Sequence, residues 1–251
     1  MVSAAHPTAI FAISAGVGVQ SRREAGEKEG KVGGRTGPGL RKQTAAAQAE
    51  EKETGRLEAF SDGVYAVAIT LLALDLQVPK LGNAASGAAL AAALIRQWPS
   101  YLAFITSFFS VLIMWVNHHA IFKLVQRTNA RLLFANGFLL MVTTVVPFST
   151  SLLTQYLQFS AAKVACAVYG GTFVLISVAY SLLWYGLLHD RMLLRPDASE
   201  EVIARIDRSY RVGPPMYIVA TVGAFVSPYV TIGICTGLWI FWACTARSEC
   251  D

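Results

Sequence analysis

LLFANGFLLMVTTVVPFSTSLLTQYLQFSAA, from Leu132 to Ala162, is 31 residues without a single Asp, Glu, Lys or Arg. Two further charge-free runs follow, 26 residues at 164–189 and 35 residues at 212–246. Apolar runs longer than ~18 residues are membrane-span candidates, because ~20 helical residues cross a ~30 Å hydrocarbon core. Charge is scarce and unevenly spread. Charged residues are 15% of the chain, against ~25% in soluble domains, and 14 of the 37 sit in residues 20–54. This pattern excludes a soluble enzyme, a disulfide-stapled secreted domain and a nucleic-acid-binding module. It predicts an all-α integral membrane protein. The net charge of +5 and pI of 9.1 then reflect topology rather than a nucleic-acid partner. The four cysteines, Cys166, Cys235, Cys244 and Cys250, lack CxxC spacing and nearby His, so they read as small hydrophobes.

Working outward, the sequence predicts six spans. The first runs from about Phe60 to Val78, with Asp62 and Asp75 near its ends and Pro79 stopping it. The second covers Tyr101 to Phe122, after a short helix within Gly82–Arg96. The third covers Leu132 to Leu153 with a kink at Pro147, and the fourth Val164 to Leu188. As helix, the run 212–246 would measure about 52 Å, too long for one crossing. Ser227-Pro228 divides it into spans five and six. Residues 1–54 are expected to be a disordered basic tail, 55–246 the six-span domain and 247–251 a short C-terminal tail. Met1–Gln20 has no basic segment ahead of its apolar stretch, a poor fit to a cleaved signal peptide.

The distribution of Lys and Arg tests that topology independently. With the N-terminus inside, 18 basic residues lie on the cytoplasmic side, and only Lys80, Arg96 and Lys163 lie outside. Without the 8 basic residues of the tail the ratio is still 10 to 3. Both termini are therefore expected in the cytoplasm.

This topology brings the start of span one, the end of span two and the start of span three to one level. Arg56, Ser61, Asp62, His118, His119, Asn129 and Asn136 then share a polar layer. A carboxylate at that depth needs a cation or several donors, so Asp62 is expected to pair with basic and His neighbours. A plainer reading is a capped, interfacially anchored helix start. On span one, Val67, Leu71, Leu74 and Val78 recur at i, i+4, i+7 and i+11, an apolar stripe that by periodicity alone could simply pack against other spans.

Read together, Arg56-Leu-Glu-Ala-Phe60-Ser61-Asp62-Gly63, then Thr70-Leu71-Leu72 and Leu74-Asp75, resemble the RxxxFSD signature of the endosomal/lysosomal potassium channel family, in its prokaryotic branch. Ser107-Phe108, Trp115, His118-His119 and Phe122 are similar to that branch's second span; Asn136-Gly137 and Pro147-Phe148-Ser149-Thr150 resemble its third. The match is good over roughly 55–170 and rests on span pattern alone beyond that. The resemblance implies a six-span, single-repeat subunit that assembles as a homotetramer in a prokaryotic plasma membrane, conducting potassium ions and needing no cofactor. It further implies a pore formed by oligomerisation and lined by span one, with Val67, Leu71 and Leu74 as the constriction and Thr70 tuning selectivity. Arg56, Phe60, Ser61, Asp62, Trp115, His118, His119 and Asn136 become the structural polar layer. The long tail departs from the family's pattern.

Several features invite other readings. Thr221-Val222-Gly223-Ala224-Phe225 resembles a TVGYG filter but lacks the second Gly, and Gly223 reads better as a close helix contact. His118 and His119 are adjacent, point about 100° apart and have no third ligand nearby, so a metal site is not expected. Asp75 reads as a solvated mouth residue rather than a proton relay. Trp98, Tyr101, Trp115, Tyr156, Trp184 and Tyr185 lie near span ends, as an interfacial aromatic belt would. The competing function is a secondary transporter or proton-coupled carrier. Carriers usually show internal repeats and midplane charges, and this chain has neither.

Overall fold

The computed structural model describes residues 38–82 and 86–250. The expected tail at 1–37 lies outside the described residues, as does the side chain of Asp75. The backbone divides into two units, Met1–Lys42 and Gln43–Asp251. Of the first, residues 38–42 are helical, as the start of α1; the packing and contacts below concern the second.

The helices are α1 (Pro38–Leu72), α2 (Gly87–Arg96), α3 (Trp98–Lys123), α4 (Ala130–Thr143), α5 (Val146–Tyr156), α6 (Ala162–His189), α7 (Glu200–Val226) and α8 (Pro228–Cys250). Among the described residues there is no strand, only an isolated bridge between Val125 and Leu194. Three segments are long and apolar enough to cross a membrane: Trp98–Lys123, Ala130–Tyr156 and Ala162–His189. Pro228–Cys244 is a shorter apolar helix.

Proline chemistry explains most of the breaks. Pro147 cannot donate to the carbonyl four residues back, so the helix stops at Thr143 and restarts at Val146. The expected kink is thus a two-residue turn at 144–145, and Ala130–Tyr156 as a whole is long and apolar enough to cross a membrane. Pro228 occupies the first position of α8, where a missing N–H costs nothing. Pro79 biases its predecessor toward extended backbone; the α-helix of span one ends earlier than expected, at Leu72, followed by a 3-10 turn at Ala73–Asp75. Val78 is therefore not on the helical stripe. The short helix before span two starts at Gly87, where the Ser86 hydroxyl accepts from the Ala89 N–H at 3.2 Å.

One expectation about the ends is corrected. Residues 38–54 continue α1 as helix rather than being disordered. The stretch Gln43–Thr54 lacks apolar periodicity but is built from Ala, Gln, Glu and Lys, the strongest helix formers. At the other end α8 runs through Cys250, so residues 247–250 of the short C-terminal tail are helical.

The most buried helix is α6, which packs against α4, α5, α7 and α8. Polar pairs pin it inside the bundle. Tyr65 of α1 bonds Tyr180 of α6 at 2.9 Å, and Tyr180 donates to the Met114 carbonyl of α3 at 2.6 Å. Ser107 of α3 bonds Thr150 of α5 at 2.8 Å and Tyr169 of α6 at 3.1 Å. Trp184 belongs to this interior rather than to an interfacial belt, being 2% exposed and near Tyr210. The loops after α3 and α6 are zipped by backbone bonds, Gln126 N–H to Leu193 O at 2.7 Å and Arg195 N–H to Leu124 O at 2.8 Å. Arg127 in the first loop pairs with Glu50 of α1 at 2.7 Å. The early turns of α1 and both loops therefore share one end of the bundle.

Thr221 sits in the interior of α7 with its hydroxyl bonded to the Tyr217 carbonyl. A Cβ at Gly170 of α6 would stand 2.7 Å from the Thr221 Oγ1 and 3.1 Å from its Cα, and one at Gly223 would stand 2.8 Å from Val230 Cγ1. Both glycines thus allow close helix approach. Gly170 is the stricter, because its neighbour is backbone. Gly170→Leu is expected to destabilise the fold by at least ~1–3 kcal/mol, the usual cost of overpacking, read as a lower thermal midpoint in detergent. An unchanged midpoint would mean that α6 and α7 part freely there.

Candidate functional site

α1 presents two unlike faces. Ser61, Tyr65, Ala68 and Leu72 are buried at i, i+4, i+7 and i+11. On the other side Phe60, Val67, Leu71 and Leu74 are 64%, 55%, 40% and 73% exposed. Gly63 and Thr70 share that outer side. Val67 and Leu71 are one α-helical turn apart, and Leu74 follows in the 3-10 turn. Three residues per turn there bring Leu74 nearer to the line of Leu71 than an α-helix would. The Thr70 hydroxyl donates to the Val67 carbonyl at 2.9 Å.

The buried face carries a directional chain of hydrogen bonds. The Ser61 hydroxyl donates to the Leu57 carbonyl at 2.9 Å, and Asn136 of α4 donates through Nδ2 to Ser61 Oγ at 2.9 Å. With the Asn136 amide so oriented, its Oδ1 accepts from His118 Nε2 of α3 at 2.8 Å. His118, Asn136 and Ser61 are fully buried. The chain fixes His118 as the tautomer protonated on Nε2, and its Nδ1 has no partner among the described residues. Tyr65 and Phe122 lie against the His118 ring, with centroids at 5.3 and 4.3 Å. Three helices are thus joined at one point by neutral groups.

A second tier sits beside it. Trp115 Nε1 donates to Asp62 Oδ1 at 2.8 Å, and His119 Nδ1 lies 2.7 Å from Glu58 Oε1. The Trp115 and His119 rings are nearly parallel, 16° apart with centroids at 6.0 Å. Glu58 and Asp62 are one turn apart on α1, and Trp115 and His119 one turn apart on α3, so two carboxylates face two rings in register.

The structure therefore brings together Ser61, Asp62, Trp115, His118, His119 and Asn136. It does not bring Arg56 or Phe60, which are exposed. Asp62 is held by a neutral indole rather than by a cation, and Trp115 serves this bond rather than a belt. Asn129 caps α4, accepting from the Leu132 N–H at 2.8 Å and donating to Asp190 at 3.3 Å. Glu58 was not among the residues expected in this layer; its i, i+4 spacing from Asp62 was the available signal. His118 and His119 turn to different partners, and no group of three or more metal-ligating side chains occurs among the described residues.

Comparison with known proteins places this geometry in context. Residues 56–147 match the model of a family described as endosomal/lysosomal potassium channel TMEM175. A protein from Chamaesiphon minutus named as a potassium channel is 47% identical over 195 residues, 77% of this chain and 95% of that one. Another so named, from Streptomyces collinus, is 41% identical over 72% of this chain and 86% of its own length. Among solved structures, a lysosomal potassium-selective channel TMEM175 homolog from Chamaesiphon minutus superposes with a TM-score of 0.71 at 44% identity, covering 78% of this chain and 99% of its own.

Proposed function

The chain belongs to the TMEM175 family of endosomal/lysosomal potassium channels, and from that membership we propose that it is a potassium-permeable channel, with four copies arranged around α1. This is a family of channels, not of enzymes. The observation that carries the pore assignment is the two-faced α1, whose inner face is anchored by hydrogen bonds while its outer apolar face lacks cover within the subunit. In a closed ring one Leu per chain becomes a collar of four. A narrow apolar collar excludes water and gates without charge. Val67, Leu71 and Leu74 form that constriction. Thr70, its proton engaged by Val67, offers oxygen lone pairs to a dehydrating cation.

The end of α1, α3, α4 with α5, α6, α7 and α8 supply six spans. The shared end of the α3 and α6 loops supports an even number of crossings between them, and the basic residues there favour a cytoplasmic position. Both termini then lie inside, in a prokaryotic plasma membrane, with residues 55–246 as the channel domain. Reporter fusions at the C-terminus and within the 155–160 loop should report opposite sides; a same-side result would remove this topology.

The function itself is tested by flux through purified protein in liposomes under a potassium gradient. Fast potassium current without a coupled ion is the expected result. Fixed-stoichiometry exchange with protons would instead identify a carrier.

A further inference from the structure

α1 keeps one rotation from the loop end of the bundle to its last turn. Glu50, Thr54 and Leu57 continue the inner stripe of Ser61, Tyr65, Ala68 and Leu72 at the same three- and four-residue steps. Glu50 is held by Arg127 at 2.7 Å, and the Thr54 hydroxyl lies 3.5 Å from the Gln126 carbonyl. Leu57 packs against the core. The outer face is therefore continuous as well. Eighteen residues make five turns of ~3.6, so Ala49, Lys52 and Glu53 stand in line with Val67, Thr70 and Leu71. Arg56, three turns before Val67, departs from that residue's line by only ~20°.

Ala49, Lys52, Glu53 and Arg56 are all exposed. Among the described residues, Lys52, Glu53 and Arg56 take part in none of the ion pairs. The bonds of Glu50 and Thr54 put this stretch level with the loop after α3, at an aqueous end of the bundle. It stands roughly 17–23 Å along the helix from Val67. The face that carries the apolar stripe inside the membrane thus carries unpaired charge outside it.

We propose that Lys52, Glu53 and Arg56 form charged rings around the N-terminal mouth of the ion path and set the rate at which potassium enters from that side. The inference rests on the reading of α1 as the helix that lines the path. Each chain brings two cations and one carboxylate, so four copies give the mouth a net positive potential. Such a potential depletes potassium locally and slows its entry, and the Glu53 ring offsets part of it. Lys52 and Glu53 are neighbours of opposite sign at one level, so their effects on entry are opposite. Both stand far from the apolar constriction, so they act on rate and leave the choice between potassium and sodium unchanged.

The test is single-channel recording in planar bilayers with equal KCl on both sides at about 0.15 M, where the Debye length is ~8 Å. In Lys52→Gln the current of one polarity should rise about twofold, and in Glu53→Gln the current of one polarity should fall about twofold, the factor expected of four unit charges ~10 Å from the axis in water. The other polarity should hardly change in either variant. Lys52→Arg and Glu53→Asp should conduct as the wild-type protein does. At about 1 M KCl, with a Debye length of ~3 Å, the differences should vanish. Changes of the same sign in the two variants, differences that persist at high salt, or unchanged currents would each overturn the proposal. Silver block of Leu71→Cys separates this failure from that of the pore reading. Where the block occurs, α1 lines the path and only the charged mouth is refuted; where it does not, both fall.

Discussion

Asn136→Leu is expected to cause the largest loss of stability of any single change in the polar layer. The amide bonds two other helices at once within this layer, accepting from His118 and donating to Ser61 at 2.8 and 2.9 Å. Its removal leaves the His118 N–H without an acceptor in a fully buried position, and takes from Ser61 the bond its oxygen accepts. A buried polar group left unsatisfied costs ~1–3 kcal/mol, so the two together approach ~2–6 kcal/mol. The expected readout is a collapse of the oligomer peak on size-exclusion chromatography after mild heating. Asp62→Asn should do far less, because Asp62 is only half buried and the amide oxygen still accepts from Trp115. If Asn136→Leu keeps the wild-type midpoint, the chain of bonds is not what fixes α1 against α3 and α4.

Leu71→Asn is expected to have the largest effect on conduction. In the proposed tetramer each substitution is repeated four times, so one change would replace a whole apolar collar with amides that hold water. A tenfold rise in potassium flux corresponds to ~1.4 kcal/mol taken off the barrier, a modest demand on four side chains at the narrowest point. Discrimination against sodium should fall at the same time, since a wetted collar no longer strips the ion before Thr70. The outward exposure of Leu71 also predicts that the substitution leaves the fold intact. Unchanged flux with an intact oligomer would move the barrier away from this ring.

The second, third and fourth expected spans were legible because hydropathy over 20 residues is a strong, local signal. Leu132–Ala162 showed it plainly, and so did the breaks at Pro147 and Ser227-Pro228. The helix at 38–54 was not legible from patterning, because Ala, Glu, Gln and Lys hold it by backbone propensity and not by an apolar face. Ser61, His118 and Asn136 could be placed at one level from topology alone. Which of them touch could not, since that depends on helix rotation. Rotation turns Arg56 and Phe60 outward while bringing Glu58 in to His119. The partner of Asp62 was misjudged for a related reason: charge balance suggested a cation, but the half-buried site is satisfied by an indole N–H.

The central claim is that the outer face of α1 lines the ion path. Thiol accessibility during conduction tests it most directly. Leu71→Cys and Ala68→Cys differ by three residues and by face, one outward and one buried against the bundle. Silver ions applied to liposome-reconstituted protein should block potassium flux through Leu71→Cys and leave Ala68→Cys and the wild-type protein, with its own buried Cys166 and Cys235 and its exposed Cys244 on α8 rather than α1, conducting. Mass spectrometry with a small methanethiosulfonate reagent should show Cys at position 71 modified in the same preparation. Continued flux through a Leu71→Cys channel whose thiol is shown to be modified would contradict the account.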